Sequence, residues 1–419
     1  MSPNGSLVKV AYYSPLPPET SGVADYSALL LPALEGRIQV ELVAKGKKPP
    51  RDADLALYHV GNDPDAHGWI VDALRKRPGL VVLHELVLHH LIAGITIGRR
   101  DGHGYLDAME RDFGLAGRLL AHGVLENRVP YLWEVRPQDF PLCGEVLDLA
   151  QAGLIVHSRY MEEKVRERGY AGRIWRIPHP AWPGHVPGTG PGLSPGFEGD
   201  PLIGCFGHVN ASKRVPQLVR AFARLLERHP GARLLLVGSA APGFELALRD
   251  VPEEAIIREE YVPEDRLWAL MDRCDVLVNL RHPTMGETSG SVIRALSLGK
   301  PVVVSDVGWF SELPDAAAFK VPADEHEEEV LTATLETLAD PAVRAKAGAA
   351  ARAHAETEHA LDRVAELYTA AMEQAAGGAA VQDAIAREVA GAAAEVGIAA
   401  GSPEAAELAQ ALRESGLGS

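Results

Sequence analysis

The sequence predicts an α/β protein of two domains that face each other across a cleft, with a helical extension at the C-terminal end. Three observations predict it. Short apolar runs alternate with helical patterns, a Pro/Gly-rich stretch interrupts that alternation near the middle, and the alternation then resumes. A chain of 419 residues is long enough for two or three domains.

In the N-terminal half, Leu7 to Tyr13, Ile38 to Ala44, Leu55 to Val60, Leu80 to Leu83 and Leu154 to Val156 read as buried strands. β-Branched residues and flanking Gly, Pro and Asp favour strand over helix. Helices are expected at Val23 to Leu34, Asp65 to Lys76 and Ser158 to Arg168, the last with Ser158 as N-cap and Gly169 as its stop. Strand–helix–strand alternation means parallel sheets covered on both faces. Pro178 to Pro201 has no periodicity and reads as a linker. After it come the strand LIGCFG, a helix over Pro216 to Glu227, the strands ARLLLVG and AIIREEYV, and a helix over Glu264 to Cys274. The strand DVLVNL, a helix opening near Ser291 and the strand PVVVSD follow. Leu361, Val364, Ala365, Tyr368 and Met372 lie on one helical stripe, and beyond Gly377 the patterning is weak. The expected boundaries are 1–180 for the first domain, 181–200 for the linker and 201–355 for the second domain. A helix at 356–376 packs back on the first domain, and an Ala/Gly/Glu-rich tail at 377–419 is dispensable for chemistry.

Composition narrows the function. A formal charge of −16 argues against a protein that coats nucleic acid. The cysteines Cys143, Cys205 and Cys274 form no Cys-x-x-Cys pair, so no disulfide framework or cysteine zinc site is indicated. No run of about 18 uncharged apolar residues exists, and the N-terminal stretch lacks the basic-then-apolar pattern of a signal peptide. A soluble cytoplasmic protein is expected, with peripheral contact to the inner face of a membrane left open.

Several familiar motifs fail. In HELVLHH, His89 stands five residues after His84, roughly 140° away around a helix, so the two do not share a metal face and no metal is expected. Gly299-Lys300 lacks the remainder of a P-loop, and neither a Gly-x-Gly-x-x-Gly nor a Gly-x-Ser-x-Gly motif occurs where it would count.

What stands is a set of loops at strand ends, where open parallel sheets bind ligands. FGHVNASKR offers Gly207 for backbone approach, then Lys213 and Arg214 ahead of a helix; the pair suits a diphosphate, or is a solvated turn. HPTMGETSGSVIRALSLGKP holds Gly286, Glu287, Thr288, Ser289, Gly290 and Ser291 before a helix whose N–H groups suit a phosphate or sugar hydroxyl, with Ser289 or Ser291 capping it as well. Ser21 and Gly22 open the first helix. His84 closes a strand and either contacts ligand or caps the next helix.

The C-terminal half resembles glycosyltransferase family 4, the retaining, nucleotide-sugar-dependent enzymes of the GT-B fold. The resemblance rests on FGHVNASKR, LLLVGSA, DVLVNLR and GETSGSVIRALSLGKPVVVSDVGWFSELP. Ser21-Gly22, His84-Glu85 and IVHSRY look like N-domain counterparts, so most of residues 7 to 375 is covered. The resemblance implies two Rossmann-like domains, with the nucleotide-diphosphate sugar on the second and the acceptor mainly on the first. It implies that Lys213 holds the diphosphate, Glu287 the donor sugar, and His84 the sugar from across the cleft, with Gly22 facing the phosphates. No cofactor beyond the substrate and no metal are implied. The outcome would be retention by same-face attack, the leaving phosphate taking the acceptor proton.

Two departures stand out. The family's second glutamate maps to Arg294, and His208 stands where an arginine often neutralises the diphosphate. Arg294 is therefore expected to reach the diphosphate or to pair with a carboxylate such as Glu287, and Arg214 is the other candidate replacement. A non-catalytic sugar or nucleotide-sugar binding protein is the alternative, and an epimerase-like or phosphorylase-like use of the fold is a further one. The sequence names no acceptor and no oligomeric state. The place to look for the acceptor is Gly98 to Phe140, with Arg99, Arg100, His103 and Trp133.

Overall fold

The computed structural model describes residues 7–19, 21–183, 196–208, 211–239, 244–249, 251–399 and 401–414. Its contacts divide the chain into two units. One comprises residues up to His157, Met161–Ile177 and everything from Ala365 onward; the other comprises Ser158–Tyr160 and Pro178–Val364. The part of the expected linker at 184–195 lies outside the described residues.

In chain order the first part of the molecule runs β1 (Lys9–Tyr13), α1 (Gly22–Leu34), β2 (Gln39–Leu42), β3 (Leu55–Val60), α2 (Pro64–Lys76), β4 (Leu80–Leu83) and α3 (His89–Ile95). It continues with α4 (Gly102–Leu125), α5 (Leu132–Val135), α6 (Gly144–Leu149), β5 (Gly153–Val156), α7 (Arg159–Glu167) and β6 (Ile174–Arg176). All strand pairs are parallel, in the order β2-β1-β3-β4-β5-β6. Every residue of β3, β4 and β5 is buried, as expected for strands covered on both faces. Local chemistry sets the helix starts. Asp63 caps α2 by accepting from the N–H groups of Asp65 and Ala66, Pro64 occupies the first turn, and Arg75 and Lys76 complement the helix dipole at the far end. Gly169, at φ +88°, stops the chain after α7.

The second part runs β7 (Leu202–Phe206), α8 (Val215–Arg228), β8 (Arg233–Val237), β9 (Ile256–Glu259), α9 (Glu264–Arg273), β10 (Val276–Asn279), α10 (Gly290–Ser297), β11 (Val302–Ser305), β12 (Ala318–Val321), α11 (Glu327–Thr337) and α12 (Pro341–Glu358). Its six parallel strands lie in the order β12-β11-β10-β7-β8-β9. Val215, Leu218, Val219, Phe222 and Leu225 of α8 form an i, i+3, i+4 stripe that is wholly buried against the sheet. Each such side chain contributes roughly 1.5–3 kcal/mol. Ala181 and Phe197, at the two ends of the expected linker, are buried in this unit's other core layer.

Two final helices, α13 (Leu361–Glu395) and α14 (Pro403–Glu414), complete the described chain. From Ala365 on, α13 belongs to the first unit, where Ala365, Tyr368, Ala371 and Met372 are fully buried and Tyr368 shares a 2.7 Å hydrogen bond with Tyr26. The helix runs past Gly377, where the sequence pattern had faded.

Candidate functional site

In each sheet the chain order reverses once, and the crevice at that reversal is where an open α/β sheet binds ligands. In the second unit β7 and β10 are neighbours and the order runs outward from them in both directions. The two loops singled out in the sequence follow these two strands. Lys213 and Arg281 meet there.

Lys213 ends a short 3-10 turn and reaches back over the end of β7, donating to Phe206 O at 2.6 Å. Gly207 is required beneath it: its φ is +97°, and a Cβ there would collide with the Lys213 Nζ. Burial pulls the ammonium down from 10.5 to about 8, and the Arg281 guanidinium adds to the shift, while Cys205 and Glu287 oppose it.

Arg281, in the loop after β10, was not among the residues picked from sequence. Its Nε lies 2.7 Å from Glu287 Oε1, close enough to pair by charge though off the N–H axis, and Nη1 donates to Ser212 at 3.2 Å. Glu287 Oε2 accepts from Thr284 Oγ1 (3.0 Å) and from the Met285 N–H (2.7 Å). Gly286, at φ +84°, makes that turn, and Ser289 caps α10 by accepting from the Val292 N–H. Gly290 and Ser291 form the first turn of α10. Thr288 Oγ1 is buried with no partner among the described residues, an orphan that a bound polar group would satisfy. Two cations therefore share one carboxylate at the sheet's crevice, leaving an excess of one positive charge beside a helix N-terminus. That arrangement attracts an anion.

Arg214 and Arg294 each pair with a carboxylate. The Arg214 guanidinium is turned to α11, where its Nε lies 3.1 and 3.0 Å from the two oxygens of Glu327, a carboxylate only 2% exposed. A buried acid must be paired, and Arg214 is the residue that pairs it. Arg294 is 7% exposed and pairs with a carboxylate, one of its two expected fates, and the acid it meets is Glu264. Its Cζ lies 3.8 Å from the Trp182 ring centre and 5.6 Å from that of Trp268, with Nη2 3.4 Å from Glu264. A planar, weakly hydrated guanidinium suits indole faces, and Glu287 is already held by Arg281. His208 bonds Ser239 through Nδ1 at 2.7 Å.

In the first unit, Ser21 caps α1 through the Ala24 N–H, and the space where a Gly22 side chain would stand is open. His84 does not cap a helix. Residues 84–88 are not helical, so the angular argument about His89 does not apply; the His89 ring bonds Phe140 O and Tyr105 instead. Within 98–140, Arg99 pairs with Asp72, Trp133 stacks on Tyr131, and α4 breaks at Gly114. The three cysteines are buried and free. No helix among the described residues is long and apolar enough to cross a membrane.

Residues 200–340 match the family described as glycosyl transferases group 1. A D-inositol 3-phosphate glycosyltransferase from Nocardia farcinica is 34% identical over 131 residues, which is 29% of this chain and 28% of that protein's length. Sucrose-phosphate synthase from Thermosynechococcus elongatus aligns over 87% of this chain and 98% of its own, with TM-score 0.56 and 17% identity. The fold is GT-B. WaaG, a glycosyltransferase involved in lipopolysaccharide biosynthesis, aligns with TM-score 0.52 and 14% identity over 87% of this chain and 98% of its own. Anabaena Alr3699/HepE, solved with UDP and glucose, gives the same score and identity over 88% of this chain and 100% of its own.

Proposed function

We propose that this protein is a retaining glycosyltransferase of family 4 that moves a sugar from a nucleoside diphosphate sugar to an acceptor without a metal ion. The observation that carries the reading is the Lys213–Arg281–Glu287 group at the β7/β10 crevice, inside the stretch that matches the group 1 family. Breaking the bond from an anomeric carbon to a diphosphate builds negative charge on the leaving group. Fixed cations and N–H donors stabilise that charge best. Lys213, Arg281 and the first turn of α10 supply both. Glu287 accepts two hydrogen bonds on Oε2 and pairs by charge with Arg281 through Oε1, which keeps capacity for a sugar hydroxyl. Ser21 and Gly22 are assigned to the phosphates and His84 to the donor sugar. Resemblance, not a carboxylate pair in this chain, supports retention.

The test is a panel of nucleoside diphosphate sugars, UDP-sugars first, read by thermal shift and by slow donor hydrolysis in EDTA. A shift with release of nucleoside diphosphate is expected. The reading fails if no member shifts the melting temperature, and metal independence fails if EDTA abolishes turnover and only a divalent ion restores it.

A further inference from the structure

Three histidines of the first unit are joined through their ring nitrogens: His59 in β3, and His84 and His157 just after β4 and β5. His157 Nδ1 lies 2.8 Å from Ile177 O, His157 Nε2 lies 3.3 Å from His84 Nδ1, and His84 Nε2 lies 3.0 Å from His59 Nδ1. The hydrogens can be placed from one end. Ile177 O is a carbonyl and only accepts, so His157 Nδ1 carries a hydrogen. A neutral imidazole has one N–H, which leaves His157 Nε2 bare to accept from His84 Nδ1. His84 Nε2 is then bare and accepts from His59 Nδ1. Burial keeps His157 near 4 and pushes His59 well below the ordinary histidine range, so the two outer rings are neutral, and a neutral middle ring completes the order.

The surroundings keep the order in place. The Tyr26 ring packs on all three imidazoles, with ring centres 5.8, 4.9 and 5.3 Å away, and its hydroxyl is tied to Tyr368. The chain starts on a carbonyl, which takes no proton, so none is passed on at that end. What it does is fix which nitrogen of the middle ring bears hydrogen.

We infer that His59 and His157 are positioning residues that lock His84 as a neutral ring protonated on Nδ1, so that His84 serves as a hydrogen-bond donor through Nδ1 and not as a base. The role in transfer rests on the assignment of His84 to the donor sugar; the lock itself does not. Of the His84 ring-nitrogen contacts to His59 and His157, the one to His157 is longer, and it is there that the N–H is to be shared with an incoming hydroxyl.

Nitrogen-15 NMR of histidine-labelled full-length protein at neutral pH reads the tautomer directly, with His84→Gln used for assignment. Wild type should show His84 protonated on Nδ1 alone. His157→Asn keeps a donor toward Ile177 but no acceptor toward His84, and should give a mixed tautomer and a fall in kcat of about 10-fold or more with little change in KM. His157→Gln retains an acceptor near the Nε2 position and should restore both. A His84 protonated on Nε2, or a tautomer unmoved by His157→Asn, overturns the lock. Turnover unchanged in His84→Ala overturns the role in transfer and leaves the tautomer result standing.

Discussion

An ammonium group held at about 8 is still mostly charged at neutral pH, with little margin. Lys213 is cationic below that value and loses its charge as pH rises through it. The kcat/KM of the free protein should therefore fall above about pH 8, and Lys213→Ala should lower kcat by roughly 100-fold, since the cation matters most as diphosphate charge grows. A pH–rate profile flat to well above that range would remove Lys213 from the site. The arginines separate by what they touch. Arg214→Ala strands a buried Glu327 and should destabilise the fold by about 3 kcal/mol while leaving nucleoside diphosphate affinity intact. Arg281→Ala should do the reverse, weakening a nucleoside diphosphate but not the bare nucleoside; denaturant melts and calorimetric titrations of the two variants decide it. Sequence singled out the loops of Lys213 and Glu287 because strand ends are legible. It left the partners of Arg214 and Arg294 open, because a long side chain's direction depends on residues such as Glu327, Glu264 and Trp182, which lie far away in sequence. It passed over Arg281 because an arginine after a strand reads as solvated until Lys213 is seen beside it.

Strands and helices were read closely where burial writes a clear pattern: Leu55–Val60 has the same limits in sequence and structure. The edge strands β6 and β12 were missed, since three or four half-buried residues carry little periodicity. What sequence could not show is that so many elements carry a neutral, buried histidine. His67 in α2, His89 in α3, His157 after β5 and His359 after α12 are each held near 4 by burial, against an ordinary 6.5. Between those values the unfolded chain binds protons that the folded one refuses. Stability is thus fully present above about 6.5 and lost as pH falls toward 4, by on the order of 3 kcal/mol per histidine. Acid unfolding should occur inside that window; a melting temperature that does not move from pH 7 down to about 4.5 would contradict it. On α13, Ala376 is the last residue seen buried among those whose side chains are described. A chain ending at Gly377 should keep its melting temperature and lose only the helical signal of the removed part of α13 and of α14, whereas one ending before Leu361 loses Tyr368 and Met372 from the core and should unfold.

The division of the chain follows contacts and not sequence order. The first unit takes its residues from both ends of the chain, and the second is a continuous insert from Pro178 to Val364 apart from Ser158–Tyr160. The sequence reading expects the helix at 356–376 to pack back on the first domain, and by contacts the chain joins the first unit from Ala365 onward. This arrangement has a consequence for synthesis on the ribosome. Domains generally fold as units, earliest first, as the chain emerges. Here the earliest unit lacks the Tyr368 hydroxyl for Tyr26 and the apolar stripe of α13 until nearly 200 further residues have been made. The second unit has all its strands long before that. The part translated first is completed last, and during that wait the Tyr26 hydroxyl lacks the Tyr368 hydroxyl that it bonds in the finished fold.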